Sequence, residues 1–136
     1  MEPLFIEAGE FTPEISFDSN SNIFEISGVS RPENVMGFYQ PAFSWLQEYE
    51  NEVLGEGLDY KYRVNSLKFI IKLSYFNSAS SKAILQILDL IRKFHLKGVN
   101  VEIDFYYDEG DEQMREDGED LSEAIEIPFN YIMIVE

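Results

Sequence analysis

An apolar strand that passes directly into an amphipathic helix is the feature that most restricts the fold of this chain. From Leu67 to Tyr75, apolar side chains recur at every second position, which is the period of a β-strand. After a short polar turn the apolar spacing becomes helical, and Gly98 is placed to end the helix. The apolar positions of this helix are Ile84, Ile87, Leu88, Ile91 and Phe94. A dense apolar strand that leads into such a helix predicts an α/β fold with a buried central strand.

The first third of the chain predicts a hairpin followed by a helix. The turn-forming DSNSN, Asp18–Asn22, separates two short apolar-rich stretches, as in a β-hairpin. Helical spacing then extends from Val35 to Val53. Ser30 and Glu33 have capping-box spacing, so they are predicted to cap this helix.

The remaining segments continue the alternation of strands and helices. The stretch 58–76 reads as a strand whose phase changes near Asn65, which predicts a bulge or a break there. A strand from Val99 to about Tyr107, a short helix in the acidic stretch after it and a final strand in FNYIMIV complete the order β-β-α-β-α-β-α-β. The prediction is a mixed β-sheet packed by helices, formed as a single domain over residues 1–136.

Composition excludes several classes of function. The 136-residue chain has a formal net charge of −16, which argues against nucleic acid and anionic membranes and favours a basic protein surface as partner. It has no cysteine, so thiolate metal sites and disulfides are excluded. The start MEPLFIEAGE lacks a signal-peptide pattern, and no apolar run reaches the roughly 20 residues that span a bilayer. We therefore expect a cytoplasmic protein without membrane insertion.

Catalytic and metal sites find little support in the residues. A serine nucleophile needs a base, and the only histidine, His95, would lie about 25 Å from Ser78 along one helix. A calcium loop counted from Asp108 would place Gln113 where an EF-hand requires glycine. The acidic stretch from Asp108 to Asp120 is better explained as a solvated face than as paired catalytic carboxylates. No catalytic residue, metal or cofactor is predicted.

Three serines at the strand-to-helix turn need a separate explanation. Ser78, Ser80 and Ser81 lie within four residues, and Lys82 follows them. Ser78 can act as a helix N-cap, because its oxygen can accept a hydrogen bond from a free backbone N–H. That role accounts for one serine and not for three, so a phosphoacceptor remains the alternative.

Long, ordered blocks of this sequence resemble a known family. The blocks are TPEISFD (Thr12–Asp18), SGVSRPENVMGFYQPAFSWLQEY (Ser27–Tyr49), LSYFNSASSKAILQILDLI (Leu73–Ile91) and YYDEGDEQMREDGEDLSEAIEIPF (Tyr106–Phe129). Together they are similar to the SiaC family of bacterial regulatory phosphoproteins. The resemblance implies a STAS-like fold, like that of anti-sigma-factor antagonists.

The resemblance also implies a modification site and a set of partners. In that family a kinase phosphorylates the hydroxyl residue directly after the asparagine of the strand-to-helix turn, and a metal-dependent serine/threonine phosphatase removes the phosphate. The unphosphorylated form can bind and activate a diguanylate cyclase. The matching residues here are Asn77 and, as phosphoacceptor, Ser78, with Ser80, Ser81 and Lys82 around it. The chain departs from the family pattern in having serine rather than threonine, followed by Ala79, and in a longer tract at 60–65.

The resulting prediction is a non-enzymatic switch controlled by reversible phosphorylation of Ser78. By resemblance its effector is a diguanylate cyclase, in cyclic di-GMP signalling of the kind that governs biofilms. A constitutive protein-binding module, with Ser78 as a helix cap only, is the first alternative. A small hydrolase that uses acidic-loop carboxylates is a distant second.

Overall fold

A computed structural model describes residues 1–55 and 64–135 of this chain. Its elements follow one another as β1 (Leu4–Ile6), β2 (Glu14–Asp18), β3 (Ile23–Ser30), α1 (Val35–Leu54), β4 (Ser66–Phe76), α2 (Ser78–Leu96), β5 (Asn100–Asp108), α3 (Glu112–Ile125) and β6 (Asn130–Ile134). The predicted hairpin is confirmed as β2 and β3, which pair with Phe17 opposite Phe24. The predicted α2, β5 and β6 are confirmed, and the acidic stretch forms the 14-residue α3.

The strands form one mixed sheet in the order β1-β2-β3-β4-β5-β6. The first two pairings are antiparallel, and the pairings from β3 to β6 are parallel. Parallel neighbours need a crossover, and α1, α2 and α3 supply the three crossovers of this sheet. The predicted mixed sheet packed by helices is thereby confirmed. β1 was not predicted, because three residues are too few to show a period.

The helices pack on one face of the sheet, where the core lies. The inward side chains of β4, such as Phe69 and Ile71, are fully buried, whereas Lys68 and Lys72 on the other face remain accessible to solvent. α2 is central among the helices, since it packs against α1, α3 and β5. α2 starts after the carboxyl end of β4 and ends before β5, so its two termini lie at opposite ends of these parallel strands.

The predicted cap of α1 is wrong. Asn34 is the N-cap, and its Oδ1 accepts a hydrogen bond from the Gly37 N–H at 3.1 Å. Ser30 instead ends β3 and is buried, so its side chain is not available to α1 as a cap. The tertiary contacts of Ser30 override the local spacing that it forms with Glu33.

Two further predictions concern the ends of β4 and α2. The phase change predicted for the stretch 58–76 depends mainly on residues 56–63, which lie outside the described residues. The pairing of β3 with β4 does shift register at another point, between Gly28 and Val29 of β3, where Gly28 has φ +110°. α2 ends as predicted before Gly98, whose φ of +93° favours glycine and whose N–H donates to His95 O at 3.0 Å.

In the described parts of the chain, no helix combines the length and the apolar character that crossing a membrane requires.

Candidate phosphoacceptor site

Asn77 begins α2 and acts as its cap. Its backbone is extended, and its Oδ1 accepts a hydrogen bond from the Ser80 N–H at 2.8 Å. Its own N–H donates to Ser30 O at 3.2 Å, which ties the turn to the end of β3. Asparagine is among the strongest N-cap residues, because its side-chain oxygen replaces a missing helical acceptor. The alternative in which Ser78 caps α2 is therefore corrected: Ser78 is the first residue inside the helix.

Ser80 is fully buried and belongs to a hydrogen-bond network beneath the turn. Its Oγ donates to Ser30 O at 3.0 Å and accepts from Ser30 Oγ at 2.8 Å. Tyr39 completes the network from α1, with its hydroxyl 2.7 Å from Ser30 Oγ. Since the Ser30 proton goes to Ser80, the Tyr39 hydroxyl acts as the donor to Ser30. The network joins β3, α1 and α2 at the start of the helix.

The Tyr39 hydroxyl is held in its neutral form. Burial raises the pKa of Tyr39 to about 12. A neutral tyrosine keeps the proton that it donates within the network. The network is thus made of uncharged donors and acceptors, and its buried hydroxyl groups are all hydrogen-bonded.

We expect the stability of the protein to fall at alkaline pH because of Tyr39. An unfolded tyrosine ionises near pH 10 and folded Tyr39 near pH 12, so the unfolded state loses its proton first. The contribution of Tyr39 is complete below pH 10 and falls by about 1.4 kcal/mol per pH unit as the pH rises towards 12. Urea unfolding between pH 8 and pH 11 measures the total slope, to which Tyr49 also contributes because burial raises its pKa to about 12 as well. Tyr39→Phe should reduce the slope, and an unchanged slope in that variant would contradict the assignment.

Ser78, Ser81 and Lys82 lie together at the surface, away from the buried network. Ser78 and Lys82 are exposed and Ser81 is half-buried. All three line a cleft of about 390 Å³ between the start of α2 and α3. Asp117 and Asp120 line the same cleft from α3. Of the four surrounding residues predicted with Ser78, the structure places Asn77, Ser81 and Lys82 around this cleft and Ser80 in the core.

Sequence reasoning missed four residues of this site. Ser30 and Tyr39 support the turn from β3 and α1, and Asp117 and Asp120 form the opposite wall of the cleft. The serine pair joins residues 50 positions apart in the chain. No local pattern could have indicated those contacts, although the acidic stretch itself was recognised.

The structure gives no support to catalysis by His95 or to an EF-hand. His95 is exposed in the last turn of α2, the helix that begins at Ser78, so the two residues lie at opposite ends of it. Asp111 is the N-cap of α3, and its Oδ1 accepts from the Met114 N–H at 3.1 Å. Within residues 1–55 and 64–135 no three histidine or acidic side chains are grouped as a metal site would require.

Comparison with known proteins identifies relatives along nearly the whole chain. Residues 6–134 match the family model described as SiaC family regulatory phosphoprotein. An uncharacterised protein of Pseudomonas aeruginosa (strain UCBPP-PA14) is 29% identical over 129 residues, which are 95% of this chain and 94% of that protein.

Solved structures show the same fold. The crystal structure of apo-SiaC from Pseudomonas aeruginosa is 27% identical, has a TM-score of 0.79 and covers 97% of this chain and 99% of that chain. A chain in the crystal structure of the diguanylate cyclase SiaD in complex with its activator SiaC, also from Pseudomonas aeruginosa, is 27% identical. The match to that chain has a TM-score of 0.80 and covers 96% of the present chain and 99% of the matched one.

Proposed function

The chain belongs to the SiaC family of regulatory phosphoproteins, and on this premise we propose that it is a non-enzymatic switch controlled by reversible phosphorylation of Ser78. The observation that carries the proposal is the position of Ser78. It is an exposed hydroxyl in the first turn of α2, directly after the capping Asn77. The neighbouring Ser80 is buried and hydrogen-bonded to Ser30. Because Ser78 is exposed, a kinase can reach its hydroxyl without disturbing these core contacts.

The modification follows ordinary phosphoryl-transfer chemistry. A protein serine/threonine kinase transfers the γ-phosphoryl group of a nucleoside triphosphate to Ser78 Oγ. The new O–P bond replaces the bond to the departing nucleoside diphosphate, and the hydroxyl proton passes to a base of the kinase. A metal-dependent serine/threonine phosphatase reverses the change by hydrolysis, in which water attacks the phosphorus and Ser78 regains its proton. Because the kinase uses a nucleoside triphosphate, we assign the protein to the cytoplasm.

The fold tolerates a phosphate at this position. A phosphoserine carries about −1.5 to −2 charges near pH 7, and a helix N-terminus favours an anion by about 0.3–1 kcal/mol. Lys82, one turn further along α2, is exposed and lines the same cleft. The phosphate therefore changes the surface without requiring the domain to unfold.

The proposed effector is a diguanylate cyclase, which the unphosphorylated form binds and activates. The support is the similarity to SiaC, the activator of the diguanylate cyclase SiaD in Pseudomonas aeruginosa. A partner that docks over Ser78 would have to remove water from the phosphate, and a buried charge without a matched partner is costly. Phosphorylation is thus expected to release the effector.

Mapping of the phosphate and capture of the effector test the proposal together. Peptide mass spectrometry of the protein from its native cells, purified with phosphatase inhibitors, should find phosphate on Ser78. Immobilised protein with phosphoserine at position 78 should retain the effector at least about tenfold less than unmodified protein, which corresponds to about 1.4 kcal/mol. Ser78→Ala should retain it as the unmodified protein does, and quantitative mass spectrometry of the captured proteins should identify a diguanylate cyclase.

A matched control separates the site from the added charge. Ser44 is an exposed serine on α1, so Ser44→Glu adds charge elsewhere on the surface and should leave retention unchanged. A constitutive binding module, the alternative function, predicts equal retention by all these proteins and no phosphate on Ser78 under any growth condition. Either result would end the switch proposal.

A further inference from the structure

The cleft beside Ser78 has an acidic wall opposite the phosphoacceptor. Ser78, Ser81 and Lys82 line it from α2, and Asp117 and Asp120 line it from α3. Lys82 is the single cation among the described residues that line the cleft, against two carboxylates. The cleft therefore has an excess of negative charge before any phosphate is added.

The one basic residue of α3, Arg115, does not balance these carboxylates. Arg115 stacks on the Tyr131 ring at 4.7 Å, donates to the Tyr107 hydroxyl at 3.1 Å and pairs with Glu119 at 3.5 Å. These contacts hold its guanidinium against β5 and β6. Asp117 and Asp120 line the same cleft as Ser78, and charges closer than about one Debye length are screened by water and ions only in part.

α3 is held to the rest of the protein by fewer buried residues than α2. It buries Met114, Gly118, Leu121 and Ile125, whereas α2 buries seven residues. An Arg92–Glu126 ion pair at 3.3 Å adds one surface contact between the end of α3 and α2. A repulsive force in the cleft would act between the two carboxylates and the start of α2.

We infer that phosphorylation of Ser78 makes the contact between α2 and α3 repulsive, and that Asp117 and Asp120 transmit the modification to α3. This inference rests on the proposed function, because it assigns a regulatory effect to the same phosphate. A dianion at Ser78 faces Asp117 and Asp120 with Lys82 alone to offset them. The phosphorylated form differs from the unmodified form not only at Ser78 but along α3, whose packing on α2 is loosened.

The test uses protein in which phosphoserine is incorporated at position 78 during synthesis, so that no kinase is needed. One double variant, Asp117→Asn with Asp120→Asn, removes the two carboxylates of the cleft. Asparagine keeps an oxygen at position 117 for the hydrogen bond from Gln113 Nε2, which is 3.0 Å long. The matched control, Glu116→Gln with Glu123→Gln, removes two exposed charges of α3 that do not line the cleft.

Phosphorus NMR titration gives the first measurement. We expect the second pKa of the phosphate to be lower by about 0.5 in the Asp117→Asn, Asp120→Asn protein than in the control, which is about a threefold change in proton affinity. The reason is that the two carboxylates disfavour the dianion. Equal values in the two double variants would overturn the inference.

Amide hydrogen exchange gives the second measurement. Phosphate should speed exchange in α3 of the otherwise unmodified protein, and the double variant at positions 117 and 120 should abolish that increase while the control retains it. An α3 whose exchange does not respond to phosphate would overturn the inference even if the pKa differs. Both measurements are independent of whether cells phosphorylate Ser78, so failure here is distinguishable from failure of the proposed function.

Discussion

Replacing Ser80 by aspartate is expected to lower the free energy of unfolding by about 3–5 kcal/mol, which is the usual cost of an unpaired buried charge. Ser80 has no exposed surface, and its Oγ donates to Ser30 O at 3.0 Å. An aspartate carboxylate has no proton to donate, so it would face the carbonyl oxygen of Ser30 as a second acceptor. It would also be larger than the hydroxyl that fits there. Urea unfolding followed by circular dichroism measures the loss.

Ser78→Asp is the matched control for this prediction. It adds the same charge two residues away, at an exposed position in the first turn of α2. We expect this variant to change stability by no more than about 1 kcal/mol, because the position is exposed and the helix N-terminus favours an anion by about 0.3–1 kcal/mol. If Ser80→Asp unfolded at the same urea concentration as Ser78→Asp, the result would contradict the burial of Ser80 in a hydrogen-bond network with Ser30 and Tyr39. The comparison also bears on the choice of phosphoacceptor, because a phosphate at Ser80 would meet the same barrier.

Gly118→Leu is expected to lower the free energy of unfolding by about 2–3 kcal/mol through overpacking. A Cβ atom at Gly118 would lie 2.7 Å from two ring carbons of Phe105, closer than side chains pack. Phe105 is fully buried and stacks on Phe129 with ring centres 5.9 Å apart, so its ring has little room to move. Leucine favours a helix over glycine by about 0.8 kcal/mol, which offsets only part of the cost. Thermal and urea unfolding measure the result.

A double-mutant cycle with Phe105→Ala identifies the cause. Removing the ring leaves space for the leucine side chain, so the two substitutions together should cost at least about 1 kcal/mol less than the sum of their separate costs. Glu116→Leu, at an exposed position of the same helix, should change stability by no more than about 0.5 kcal/mol. Additive costs at positions 118 and 105 would show that α3 does not approach β5 as closely as Gly118 indicates.

The period of the apolar residues determined most of the fold. α2 was predictable because its apolar positions, with Gly98 beyond them, lie within a few turns of one another in the chain. The β2–β3 hairpin was predictable for the same reason, since its turn residues separate two short apolar-rich stretches. β1 was not predictable, because a strand of three residues is too short to show a period. Its pairing with β2 also forms across a connecting loop.

The candidate site was determined by sequence only in part. The resemblance of whole blocks indicated Asn77 and Ser78, and the structure places Ser78 at the surface after the asparagine cap. Local spacing made Ser30 look like a helix cap and gave no reason to separate Ser80 from Ser78. Which serine is buried and which is exposed depends on the direction in which α2 packs against β3 and α1.

The tertiary structure therefore decided the surroundings of Ser78. Ser30 and Ser80 are 50 positions apart and meet only because β3 and β4 are neighbours in the sheet. Asp117 and Asp120 reach the cleft only because α3 crosses back beside α2. Periodicity is a property of neighbouring residues, and so it determines elements and their buried faces. Hydrogen bonds and charge pairs between distant residues depend on how those elements pack, which no local pattern contains.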